Sequence, residues 1–193
     1  MDSRDPNAAA KSTMPSDQTL RGRLYKFMAG EHAWLDNLLA EAAKGAGAAS
    51  AESYRRFREG LLRHISIEEK ILLPAAQRGR GGTPLPLAEK LRLDHGALAA
   101  LMMLPPSVST FRAVRAVLDA HNPLEERPGG VYEQCECLIE SELDEVLLQC
   151  ETAPRVPVSP WVDSSKVFVA VKRVLVRAGY DEALLISPGA APE

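Results

Sequence analysis

Aromatic side chains are scarce, only 5% of 193 residues, while Ala and Leu abound, a balance that favours helices over strands. Cysteines number three, Cys135, Cys137 and Cys150. They are odd in number and bunched late, so no disulfide scaffold is expected and a reducing cytoplasm suits them better. A basic excess is also missing. Lys and Arg number 23 against 26 Asp and Glu, a net charge of −3, which excludes the positive surface that nucleic acid needs. No apolar run, Val167 to Val171 included, is long enough for a bilayer span. Met1 to Gln18 carries Arg4 and Lys11 but no apolar stretch, so no signal peptide is expected. There is no internal repeat and no alternation of strand and helix patterns.

Helical periodicity fills most of the chain. Residues 1–16 are polar, small and Pro-containing and are expected to be disordered. A first helix is predicted from about Asp17 to Lys44, with Leu20, Leu24, Met28, Leu35 and Leu39 on one stripe. After a Gly45–Ser50 loop, Tyr54, Phe57, Leu61 and Leu72 mark a second helix ending near Gln77. Gly79 to Pro86 is the next loop. Leu87, Leu91, Leu98 and Met102 mark a third helix, stopped by Pro105-Pro106. Ser107 is placed to cap a fourth, carrying Val114, Val117 and Leu118. Pro128-Gly129-Gly130 breaks the chain, and a fifth, acidic helix is predicted from about Val131 to Glu151. Residues 164–178 fit a helix, although their β-branched content also allows a strand. The expected fold is all-α: an up-down four-helix bundle over residues 17–152, with residues 153–193 as an extension whose helix packs on it.

The four histidines, His32, His64, His95 and His121, fall one on each of the first four helices. Each lies on its helix's apolar stripe: His32 with Met28 and Leu35, His64 with Leu61 and Ile71, His95 with Leu91 and Leu98, His121 with Val117 and Leu124. Residues three or four apart share a helix face, so all four rings should point inwards. His32 and His64 are each about 16 residues from the first turn, which sets them level in an antiparallel pair. The other pairs agree to about one turn. Glu68 follows His64 by four and Glu125 follows His121 by four. A carboxylate on an apolar stripe costs several kcal/mol unless a cation accompanies it, and a bound metal is such a cation. One histidine on an apolar face is an ordinary core residue, and one His-x-x-x-Glu pair an ordinary solvated one. Four histidines on four stripes with two such carboxylates point to a metal. Imidazole and carboxylate without cysteine on the stripes suit iron or manganese better than structural zinc.

Over about residues 20–150 these residues resemble the hemerythrin and HHE cation-binding family. HISIEEKILLP from His64 resembles the family's second helix, DHGALAALM from Asp94 the third, EHAWLDNLL from Glu31 the first, and HNPLEE from His121 the fourth. The resemblance implies a non-haem di-iron site. His32 and His64 would hold one iron and His95 and His121 the other, with Glu68 and Glu125 bridging them. It also implies a protein that carries or senses dioxygen, or responds to iron and related redox signals.

Two positions depart from the family pattern. Where many members have His or Glu four residues after the third-helix His, this chain has Ala99, which cannot ligate and leaves the second iron weakly held or open. Asn122, Pro123 and Glu125 read as the cap and first turn of a fresh helix, a break that would move Glu125 away and make Glu126 its substitute. Asp36 is a candidate further oxygen donor, with a surface or supporting role the plainer reading. Cys135 and Cys150 are expected as buried free thiols, Tyr25, Trp34 and Tyr54 as packing residues, and Glu133, Glu136, Glu140, Glu142 and Glu145 as a solvated face.

The expected function is therefore binding or sensing of dioxygen, peroxide or a related small ligand at non-haem iron, with no nucleic-acid or membrane partner. Two other readings remain open: a di-iron enzyme acting on peroxide or oxygen, and a metal-free helical interaction module.

Overall fold

Helix α1 spans Arg23–Ala43 in the computed structural model, which describes residues 22–45 and 47–185. The expected disordered segment 1–16 and the Asp17 start of the first helix lie outside the described residues. Gly22 precedes α1 and has no side chain to cap it. The carboxylate of Glu136 does so instead, accepting from the Tyr25 amide at 3.3 Å, where a negative group meets the positive end of the helix. A Cβ on Gly22 would meet that carboxylate at 2.0 Å, so the approach requires glycine. Glu136 thus leaves the solvated face expected for it.

Helix α2 (Ala48–Ile67) runs without a break through a π-helical turn, Glu68–Leu72, into α3 (Leu73–Gly79). The Leu73 amide bonds five residues back to the Glu68 carbonyl, and Pro74, which has no N–H to give, follows at once. Helix α4 is Ala88–Leu101 and α5 is Val108–Glu126. Ser107 caps α5 as expected, its hydroxyl accepting from the Thr110 amide at 3.1 Å.

Two local expectations change, and one is settled. Pro123 does not break the chain: α5 continues to Glu126. The carbonyl that loses its partner there belongs to exposed Asp119, where water can replace it. The predicted fifth helix is two, α6 (Val131–Leu138) and α7 (Leu143–Glu151), joined by a 3₁₀ turn at Glu140–Glu142. A straight helix over both would be ~30 Å long. The bend instead brings Val146, Leu147 and Cys150 into one apolar cluster with Val131, Tyr132, Cys135 and Ile139. Residues Ser165–Arg177 form a helix, α8, settling the ambiguity of that segment.

Among the described residues there is no strand, and the long helices form an all-helical bundle. Its apolar interior is in two parts. One holds Leu35, Leu39, Phe57, Leu61, Leu98, Val117 and Leu118, with Val171 and Leu175 of α8. The other holds Leu24, Met28, Ile67, Leu72, Leu91, Tyr132 and Cys135. Each of α1, α2, α4 and α5 passes from one cluster towards the other at its histidine.

Close packing makes one glycine indispensable and another dispensable. A Cβ on Gly79 would stand 2.3 Å from the Leu138 carbonyl oxygen, whereas one on Gly96 would touch nothing within 4 Å. Gly79→Ala should cost about 1–3 kcal/mol by forcing α3 from α6. Gly96→Ala should stabilise by about 0.5–1 kcal/mol through helix propensity. Urea denaturation of both variants, with the signs reversed or equal, would contradict this packing.

Candidate metal centre

His32 of α1, His64 of α2, His95 of α4 and His121 of α5 meet in one layer between the two apolar clusters, with Glu68 and Glu125. All six are 5% exposed or less. Their potential donor atoms form two groups, each within 4.8 Å: His32, His64, Glu68 and Glu125 in the first, Glu68, His95, His121 and Glu125 in the second. Both carboxylates belong to both groups. In the first, His32 Nε2 lies 2.9 Å from His64 Nε2 and 3.5 Å from Glu125 Oε2, and His64 Nε2 lies 3.3 Å from Glu68 Oε1. In the second, His95 Nε2 is 3.1 Å from Glu68 Oε2 and His121 Nε2 is 3.3 Å from Glu125 Oε1.

Outside the layer, three rings are held by carboxylates. Glu126 pairs with His32 Nδ1, Glu69 with His95 Nδ1 at 2.7 Å, and Asp94 with His121 Nδ1 at 3.4 Å. An ionised carboxylate only accepts, so each Nδ1–H donates outward and each Nε2 is turned towards the centre. Asp94 is fully buried and also accepts from Lys90 Nζ at 2.6 Å and the Tyr180 hydroxyl at 2.8 Å. Glu68 and Glu69, neighbours at the start of the π turn, meet opposite nitrogens of the His95 ring.

The family model described as the hemerythrin HHE cation binding domain matches residues 23–128, more than half of the chain. The chain belongs to the hemerythrin HHE cation-binding family. No curated protein and no solved structure matches it.

The donor set of this HHE domain fits a cation on its own evidence of unmet need. Glu68 Oε2, His95 Nε2 and Glu125 Oε1 are buried with no hydrogen-bond partner among the described residues. His95 Nε2 and Glu68 Oε2 stand 3.1 Å apart yet make no hydrogen bond, as atoms aimed at a common point would. Four imidazoles and two carboxylates with no thiolate are a ligand set for a borderline or hard metal.

The sequence-predicted residues His32, His64, Glu68, His95, His121 and Glu125 are therefore all brought together. Glu125 keeps its inward face because α5 continues through Pro123, and Glu126 supports His32 from outside instead of replacing Glu125. Asp36 belongs to neither group; it pairs with Arg115 at 2.7 Å, half-exposed on the surface. One turn beyond His95, Leu98 is fully buried and Ala99 only half so. Cys135 and Cys150 are buried free thiols and Cys137 is exposed. Burial, with Glu68 and Glu125 nearby, pushes the Cys135 thiol far above its ordinary range, which suits packing and not redox chemistry.

Sequence reasoning missed Tyr132. Its hydroxyl enters the first group from α6, where a lone tyrosine in an acidic helix gives no periodic or motif signal. Glu69 and Asp94 did have a signal, each standing directly beside a predicted site residue.

Protons serve the hemerythrin layer when no metal does. Burial opposes a charged His95, but the carboxylates of Glu68 and Glu69 outweigh it and lift the ring to about 9. Burial likewise opposes His121, which Glu125 and Asp94 lift to about 10. Burial works against an ionised Glu68 too, yet His64 and His95 hold it well below the usual carboxylate range. Both rings sit above their ordinary 6.5, so their pairs contribute fully below that pH and are lost as pH rises through about 9 and 10. Chelator-stripped protein should thus melt at a lower temperature at pH 10 than at pH 6.5, and metal uptake at pH 7 should release protons. A melting temperature that climbs over this interval would contradict the imidazolium–carboxylate layer.

Proposed function

We propose that this protein holds two iron ions in the buried layer and reversibly engages dioxygen or a related small redox ligand there. His32 and His64 would hold one ion and His95 and His121 the other, with Glu68 and Glu125 shared between them. Iron bound in this layer supplies the electrons that dioxygen chemistry requires.

The observation that carries the reading is a void of about 10 Å³ against the layer. Its walls include His32, His64, Glu68 and His121 on one side and Leu35, Leu61, Leu98 and Leu118 on the other. Such a space is of the order of one water molecule, which suits a very small ligand better than an organic substrate. The four leucines give the void an apolar wall, a condition that favours reversible engagement over turnover. On the α1–α5 side, a surface groove of about 600 Å³ shares His32, Asp36, Leu118 and Asn122 with the void as common walls. These shared walls make the groove a route towards the void, and the Asp36–Arg115 ion pair lines it.

The decisive experiment exposes reduced, iron-loaded protein to dioxygen. A stable oxygenated spectrum that reverts under argon is the expected result; rapid irreversible bleaching, or peroxide disproportionation, would replace this reading with the enzymatic one. His64→Ala should lower iron from two per chain towards one, measured by elemental analysis of untagged protein. Two irons retained would contradict its assignment. Leu98→Ala should enlarge the void, quicken azide binding and cost about 2–5 kcal/mol of stability. Unchanged azide kinetics in the folded variant would place the ligand elsewhere.

A further inference from the structure

We infer that the Tyr132 hydroxyl is a fifth protein donor to the metal held by His32, His64, Glu68 and Glu125, so that the two halves of the centre are chemically unequal. This rests on the two-metal reading above. Tyr132 lies on α6, beyond the residues matched by the family model, and is completely buried.

Its hydroxyl stands 2.7 Å from Glu68 Oε1, 3.0 Å from Glu125 Oε2, 3.1 Å from His32 Nε2 and 3.4 Å from His64 Nε2. Donors about 2.1 Å from one ion and at right angles to each other are about 3.0 Å apart. The four distances from the hydroxyl, and the 2.9 to 3.5 Å separations along three sides of the other four donors, are of that size. Hydrogen bonding alone accounts poorly for the arrangement. A phenol has one proton to give, and here two buried carboxylate oxygens that can only accept lie within 3.0 Å of it. Tyr54, buried for packing, needs only the Leu104 carbonyl at 3.1 Å.

Among the described residues the second half of the centre has no counterpart. Glu68 Oε2, His95 Nε2 and Glu125 Oε1, all partnerless, face that half, whereas the first half has only His64 Nδ1, on the far side of its ring from His32, without a partner. The void is walled by His32, His64 and Glu68 but not by Tyr132, so the hydroxyl does not fill the space a small ligand would enter. A phenolate oxygen adds a hard, anionic donor, which favours trivalent iron in the first half and leaves the second as the more exchangeable one. As the O–metal bond forms, the phenol O–H bond breaks and its proton passes to solvent; no electron moves.

Wild-type protein and Tyr132→Phe, both loaded with ferric iron, are to be compared by visible absorption, resonance Raman and iron content. The wild type should show a phenolate-to-iron charge-transfer band with tyrosine ring modes. Tyr132→Phe should lack both, and one of its two irons should dissociate at least about tenfold faster. Two irons bound to wild type without tyrosine modes would overturn the inference and leave the proposed function standing. Tighter iron binding by Tyr132→Phe would also overturn it, making the phenol an obstruction and not a donor. No iron in either protein would overturn both. The wild-type Raman spectrum decides the matter even if the variant fails to fold.

Discussion

Everything in this fold answers to one electrostatic constraint: six ionisable side chains occupy a dry layer between two apolar clusters. Neither cluster can absorb them, and all six are 5% exposed or less. Their charges must therefore cancel inside the layer, through protons on the imidazoles or through cations among them. The apolar clusters hold the four helices at fixed spacing, and the layer forces those helices into one vertical register. A slip of any helix by one turn would leave a histidine among leucines and a carboxylate alone.

That register was largely readable from the chain because its causes are local. Each histidine shares a helix face with leucines, valines or methionines three or four residues away, and this fixes direction without knowledge of the neighbours. The distances from the turns then place His32 and His64 level. Glu68 was legible for the same reason, as an acid on a stripe that should reject it.

What escaped sequence reasoning depends on contacts between distant residues. Pro123 looks like a helix start when read alone, yet packing around Val117, His121 and Glu125 carries α5 past it. The bend between α6 and α7 is driven by the cluster that Cys150 joins with Cys135, which no periodicity announces. Tyr132 reaches the layer only because α6 closes over the end of the bundle, and Glu136 meets Gly22 for the same reason. Asp94 is supported by Lys90 on its own helix but also by Tyr180, from a segment beyond the bundle proper.

The π turn at Glu68–Leu72 amounts to one residue more than an α-helix would use over the same rise. Deleting any residue within it would restore ordinary winding and rotate the rest of α3 by about 100°. Leu72, Leu73 and Ala76 would then leave the core that they fill. An insertion would do the same in the opposite sense. For protein engineering, this stretch is therefore a fixed-length spacer: substitutions in it change a side chain, while a change in length unscrews one wall of the centre from the other three.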